Sequence, residues 1–389
     1  MNHWPQKRLE EISDLINGRA FEPSEWSDKG TPIIRIQNLN DPSKPYNYYD
    51  GSLPEKYRVR TGDILLSWSG TPGTSFGCFR WKGPEGWLNQ HIFNVKLRGG
   101  LHPDFFVYQV NSMLGQLIAM AHGGVGLQHV TKGMVGNLII SIPTMPEQER
   151  IVQILCQADE LRQLRADADR LGASLTSSLF HEMFGEPNRW TQEPLQKLLV
   201  GIESGWSPVC RDEPAKPAEW GVLKLSSVTF GEYREEENKA LPEGTAPRPG
   251  LEVRRGDVLF TRKNTYALVA ATAYVWSTRP RLMLSDLIFR LRPRPEVGLD
   301  PLYLCYSLAG LPKRGEIQRL AGGSAGSMPN ISKERLLSVS ISLPPLHLQQ
   351  YFALHAKEIR DLQAEQIARR ERLNDLFHSL LHRAFQGDL

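Results

Sequence analysis

The sequence predicts an α+β protein built as an internal repeat. Two similar globular domains of mixed structure are joined by two long helices that form an antiparallel coiled coil, in a pseudo-twofold arrangement. Three observations predict it. Segments of the first half recur in the same order in the second. Each copy opens with short β-type runs punctuated by Gly and Pro. Each closes with a proline-free stretch of about 38 residues, enough for a helix of ~57 Å at ~1.5 Å per residue.

The repeat is colinear. Trp4 and Leu9 recur as Trp190 and Leu195, 186 positions on. Val59-Arg60-Thr61-Gly62-Asp63-Ile64-Leu65 recurs as Val253-Arg254-Arg255-Gly256-Asp257-Val258-Leu259, 194 positions on. Ile142-Pro143 pairs with Leu343-Pro344, Gln148 with Gln349 and Phe184 with Phe385, all at an offset of 201. The offset only grows, so the second copy carries small insertions within one plan.

The globular domains span residues 1–144 and 187–345. Ile33-Ile34-Arg35-Ile36 and Val222-Leu223-Lys224-Leu225 read as matching strands, as do Ile92-Phe93-Asn94-Val95 and Ile288-Phe289-Arg290-Leu291. The helices occupy residues 145–186 and 346–389, after proline stops. Their 3-4 spacing predicts a seam through Ile151, Ile154, Ala158, Leu161, Arg165, Ala168, Gly172, Leu175 and Leu179 in the first. In the second it runs through Phe352, His355, Ile359, Leu362, Gln366, Arg369, Leu373, Leu376 and Leu380. Polar Arg165 and Gln366 fall mid-seam, where they would fix register. Antiparallel pairing would place the two domains at opposite ends of a rod; the alternative is that each helix packs on its own domain.

Composition excludes several classes. Lys and Arg number 46 against 43 Asp and Glu, far from a histone-like polycation. No apolar stretch has the length of a membrane span, and the N-terminus lacks the apolar core of a secretory signal. Cys78, Cys156, Cys210 and Cys305 form no CxxC or metal spacing. The expectation is a cytoplasmic protein with no membrane association. No P-loop and no NPP[YF] tetrapeptide of an amino-methyltransferase is present. Glu237-Asn238-Lys239, with Asp212 upstream, has the E-x-K form of a metal nuclease, but the other copy lacks it. The chain is therefore expected to be non-catalytic, with no metal site.

The helix openings Ile142-Pro143-Thr144-Met145-Pro146-Glu147-Gln148 and Leu343-Pro344-Pro345-Leu346-His347-Leu348-Gln349 resemble a signature of the specificity (S) subunit of type I restriction–modification systems. So do the helix ends Ser178-Leu179-Phe180 to Phe184-Gly185 and Ser379-Leu380-Leu381 to Phe385-Gln386-Gly387, and the Val-Arg-x-Gly-Asp turns. One departure is Leu348 where the pattern has Glu, as Glu147 does. The resemblance covers the whole chain. It implies two target recognition domains that each read one half of a bipartite, asymmetric double-stranded DNA target. It further implies that the helices set the spacing and dock two methyltransferase (M) subunits, with restriction/translocase (R) subunits joining indirectly. S-adenosylmethionine, ATP and Mg2+ would bind those partners, with no cofactor in this chain. The competing reading is a non-catalytic coiled-coil scaffold that organises protein partners without reading DNA.

If DNA is read, three tracts are candidates, because base edges demand polar side chains and phosphates demand cations. The first follows each Gly-Asp turn: Ser67, Trp68, Ser69 and Thr71, matched by Arg262, Lys263, Asn264 and Thr265. The second is each Gly-rich loop with the next helix start: Gly124, His129 and Lys132, matched by Gly323, Ser324, Asn330 and Lys333. The third is Arg35, Gln37 and Asn38, matched by Lys224, Ser226 and Ser227. Solvated hairpin tips and plain loop closure are the alternatives. Arg290, Arg292 and Arg294 would share a strand face, either solvated or facing DNA.

Overall fold

The computed structural model describes residues 4–41, 43–70, 76–120, 128–186, 189–322 and 328–389. The chain forms two compact units: residues 1–167 with 367–389, and residues 168–366. Among the described residues no helix is long and apolar enough to cross a membrane.

In the first unit an antiparallel sheet has the order β1 (Ser13–Asn17), β4 (Ile92–Leu97), β2 (Ile64–Ser67), β3 (Gly77–Arg80). Helix α1 (Pro103–Ser112) packs on it, burying Phe105, Phe106 and Val110. In the second unit β5 (Leu199–Ser204), β8 (Ile288–Pro293), β6 (Val258–Thr261) and β7 (Thr272–Tyr274) repeat that order, covered by helix α2 (Pro301–Ala309). A smaller sheet recurs too: Thr31–Ile34 runs parallel to Gly86–Leu88, as Gly221–Leu223 does to Leu282–Met283. The central strands Ile64–Ser67 and Val258–Thr261 are buried on both faces, successive side chains entering different apolar clusters.

The Gly-Asp turn ties each sheet together. Gly62 and Gly256 have φ of 92° and 91°, a conformation that favours glycine. Asp63 Oδ2 accepts from Arg60 N and from Asn94 Nδ2, each at 2.9 Å, and Lys96 Nζ reaches Oδ1 at 2.6 Å. Asp257 Oδ2 likewise accepts from Arg254 N at 2.9 Å, and from Arg290 Nη1 at 3.0 Å. Arg290 replaces Asn94 and is 1% exposed, so it faces neither solvent nor DNA. Its Nε donates to Glu203 at 2.7 Å, and Nη1 and Nη2 donate to the carbonyls of Glu252 and Gly250. Arg292 pairs with Glu203 at 2.6 Å and Arg294 with Glu296 at 3.8 Å. Of the expected row of three cations, Arg290 is thus drawn into an ion-pair network, because a buried guanidinium needs its donors satisfied, while the side chains of Arg292 and Arg294 stay 51 and 39% exposed.

The first long helix runs Met145–Gly172 and the second Leu346–Gln386. A separate segment, Leu175–Phe184, follows the first, where a continuous helix was expected. The break falls at its single glycine: Gly172 is buried and its carbonyl accepts from Gln363 Nε2 at 2.7 Å. Both helices start on the same clamp. Gln148, 0% exposed, accepts from His102 N at 2.7 Å and donates to the carbonyls of Gly100 and Pro143. Gln349, also 0% exposed, accepts from Asp300 N at 2.9 Å and donates to those of Gly298 and Pro344. The Glu147-to-Leu348 departure leaves this clamp intact. Glu147 instead caps Thr144 N at 2.9 Å, and the matching Pro345 has no N–H to cap.

The clamp sets the rotation of each helix. Counting sevens from Gln148 gives Leu155, Arg162, Asp169 and Thr176; from Gln349 it gives Ala356, Gln363, Arg370, Phe377 and Ala384. All are buried or half-buried. Ile151, Arg165, Leu179, Phe352, Ile359, Gln366, Leu373 and Leu380 complete this packed stripe as expected from their spacing, and all are at least half-buried. The other half of the expected seam lies one residue too early. Ile154 is half-buried beside the stripe, but Leu161, Leu175, Leu362 and Leu376 are 56, 51, 57 and 52% exposed. Apolar count favoured these leucines, while the buried amide turns polar Arg162 and Gln363 inward.

Pairing is antiparallel: within the second unit residue 172 meets 363, and Phe180 and Phe184 meet Phe352 at 5.3 and 5.9 Å between ring centroids. Phe184 also meets Tyr303 at 4.9 Å. In the first unit the matching Phe385 meets Phe105 at 5.4 Å, and Arg162 lies over Phe377 and bonds Asn374.

Two outcomes follow for stability. Gln349→Ala leaves one buried N–H and two carbonyls without that partner, and is expected to cost at least ~3 kcal/mol, at ~1–3 kcal/mol for each of the three orphaned groups, read by urea unfolding. A loss below ~0.5 kcal/mol would show the clamp to be incidental. For Asp63, burial pushes the carboxyl up, but hydrogen bonds from Lys96, Arg60 N and Asn94 outweigh it and hold the pKa below the usual range. A depressed folded pKa adds stability above the unfolded value of ~3.9 that disappears as pH falls through the folded value. Asp63→Asn should therefore flatten the acid side of the melting-temperature profile below pH ~4; an unchanged slope there refutes the assignment.

Candidate nucleic-acid interface

In each unit the first two candidate tracts meet on one backbone frame. Beyond β2, Ser69–Gly70 pairs antiparallel with Gln128–His129, and Val130 N donates to the Trp68 carbonyl at 3.0 Å. Beyond β6, Lys263 bridges to Asn330, and Ile331 N donates to the Arg262 carbonyl at 2.8 Å. The strand leaving each Gly-Asp turn is thus stitched to the segment leading into the next short helix.

The side chains on that frame differ. Trp68 stacks on Phe93, centroids 5.6 Å apart, and meets His91 edge-on at 5.5 Å. In the second unit the matching Phe289 carries Arg262, whose guanidinium carbon lies 5.0 Å from the ring centroid. Arg262 Nε donates to Asn330 Oδ1 at 3.1 Å, and Lys333 Nζ lies 5.9 Å from the same ring. An aromatic floor therefore supports an indole in one unit and two cations with an amide in the other. Stacking on the ring holds the guanidinium plane and leaves its edge to donate.

Five candidates are buried and hold the frame itself. Ser67 and Ser69 are 1 and 4% exposed, on inward-facing strand positions. Asn38 accepts from Arg35 N and donates to the Lys44 carbonyl; Ser227 donates to the Lys224 carbonyl. Asn264 accepts from Thr265 N and donates to Thr229 Oγ1. Short polar side chains satisfy nearby backbone, which is why they stand at these bends.

The others are partly or fully exposed. Arg35 donates to Asn47 at 2.8 Å with its guanidinium over Trp26, and Gln37 donates to the Pro45 carbonyl. Lys224 and Ser226 both reach Glu237, at 3.9 and 2.6 Å. Lys224 also lines a cleft of about 490 Å³ with Lys239, Ser207 and Ser285. Lys132 and Thr265 are exposed; Lys263, Asn330 and Lys333 are half-buried. Thr131 and Ser332 cap the short helices Lys132–Gly136 and Lys333–Leu337. Thr71, Gly124, Gly323 and Ser324 lie outside the described residues, and of His129 only the backbone is described. Of the E-x-K stretch, Glu237 engages Lys224 and Ser226, whereas Lys239 pairs with Asp212 at 2.6 Å.

Sequence reasoning missed the floor. Phe93 and Phe289 were legible only as strand residues, although their recurrence in the repeat marked them.

Two copies of one mixed module, each leading into a long helix and each presenting a differently furnished polar frame, define a tandem-repeat protein. Residues 1–167 match the family described as Type I restriction modification DNA specificity domain. The chain is 36% identical over 167 residues to the type I restriction enzyme EcoEI specificity subunit of Escherichia coli, a match covering 43% of this chain and 28% of that relative. It is 22% identical over 428 residues to the EcoBI specificity subunit of Escherichia coli, covering 99% of this chain and 86% of the relative. Its fold is similar to the S subunit of a type I restriction–modification system from M. genitalium, with TM-score 0.56 and 13% identity over 99% of this chain and 97% of that one.

Proposed function

We propose that this chain is the sequence-specific DNA-recognition subunit of a type I restriction–modification complex. The observation that carries the proposal is the shared frame with different side chains. Two readers of different half-sites need one scaffold and two sets of polar tips, and Trp68 against Arg262, Asn330 and Lys333 is such a pair. An arginine held over a ring suits the O6 and N7 acceptors of guanine in the major groove. Each module reads one half of a bipartite, asymmetric target, and two modules at a fixed separation reach groove segments about one helical turn (~34–36 Å) apart. The long helices set that spacing and dock the M subunits, with R subunits joining through them. S-adenosylmethionine, ATP and Mg2+ bind the partners, so chemistry belongs to them and choice of sequence to this chain. A charge balance of only +3 suits this division, since the partners supply much of the phosphate grip.

Co-expression with an M subunit should yield methylation of one bipartite sequence. Replacing residues 1–144 with those of another specificity subunit should change one half of that sequence and leave the other. A change in both halves, or none, would refute the two-reader division. Absence of any sequence preference would favour a scaffold that only organises partners. Removing seven residues from each long helix should shorten the spacer between unchanged half-sites, read from the methylated positions.

A further inference from the structure

We infer that Tyr266 is a specificity-determining DNA contact of the second module; this rests on the DNA-recognition reading above. Tyr266 follows the Arg262–Thr265 tract directly and is 65% exposed, an unusual position for a large aromatic side chain. The loop that carries it is held from several directions. Asn264 N donates to the Pro329 carbonyl at 3.3 Å and Asn264 Nδ2 to Thr229 Oγ1 at 3.2 Å. The Thr265 carbonyl accepts from Leu268 N and Val269 N at 3.0 and 2.8 Å, closing a single helical turn. From the helix Leu311–Arg319, Gln318 Nε2 donates to the carbonyls of Tyr266 and Val269 at 3.0 and 3.1 Å, and Arg314 Nη2 to that of Ala267 at 3.1 Å.

Loops that only close a chain are not usually gripped this way. Here two long side chains are committed to the backbone of a turn whose own tip, Thr265 to Ala267, stays exposed. That fixes the Tyr266 main chain before any ligand arrives, so little ordering entropy remains to be lost on contact. An exposed phenol on this fixed main chain, four residues after Arg262, offers a flat apolar face for a base or a thymine methyl, with a hydroxyl at its edge. The ligand class is duplex DNA, and the contact is with bases, in the half-site read by the second module.

The test uses the full chain assembled with its M subunit and a pool of randomised duplexes, from which bound sequences are recovered and compared between wild type, Tyr266→Ala and Tyr266→Phe. Wild type should return a bipartite motif. Tyr266→Ala should lose preference at one or two positions of one half only, with about a tenfold or greater drop in affinity for the wild-type motif and unchanged binding of unrelated duplex. Tyr266→Phe should keep most of that preference, since the ring carries the contact. Thermal melting of both variants should match wild type, given the exposure of the side chain. If Tyr266→Ala returns the wild-type motif with undiminished affinity, or weakens cognate and unrelated duplexes alike, the assignment is overturned while the DNA-recognition reading stands. If wild type itself returns no motif, the DNA-recognition reading falls and the assignment with it.

Discussion

One buried amide governs the architecture twice. Gln148 and Gln349 each bind three backbone groups, so neither side chain can turn without orphaning them. A helix that must hold its fourth residue in such a socket has no freedom of rotation about its axis. Every seventh residue from the glutamine then faces inward, whatever its chemistry. That explains why Arg162, Gln363 and Arg370 sit in the packed stripe while leucines one position away remain in solvent.

The helix ends complete what the glutamines begin. Phe385, at the end of the second copy, packs on Phe105 of the first; Phe184, at the end of the first, packs on Tyr303 of the second. Each unit therefore borrows the end of the other copy's helix to close its core, and neither half of the chain contains a complete unit. Duplication alone would give two beads on a string. Exchange of helix ends makes the two copies interdependent, and the aromatic cluster of Phe180, Phe184, Tyr303, Tyr306 and Phe352 gives that exchange a large apolar content.

The repeat made the architecture legible in the sequence: strand pairs, Gly-Asp turns, helix starts and helix ends were all visible because they occur twice. The rotation of the helices was not legible, because a seam chosen by apolar count cannot know which polar side chain is socketed at its start. Of the candidate site, the recurrence of each tract was visible in the repeat, but neither the meeting of two tracts far apart in sequence nor their exposure was. Asn38, Ser227 and Asn264 carry the right groups for base recognition and spend them on local backbone. Arg290 has the charge of a phosphate ligand and lies inside the sheet. A residue type states what a group can bond; only its direction states with whom.

The two kinds of difference between the copies have opposite physical consequences. Where Asn94 and Lys96 become Arg290 and Arg292, the acceptors change with them: Glu203 joins Asp257, and burial of the guanidinium is matched by carboxylates and carbonyls. Such coupled changes are forced, since a buried charge left without partners would cost several kcal/mol. At the rim of the same sheet, Trp68 becomes Arg262 over an unchanged phenylalanine, and Arg262 donates to Asn330, where the first copy has His129. Substitution there alters what the module presents without altering what holds it together. A protein with this division can change the side chains at its rim while keeping the sockets of its helices as they are.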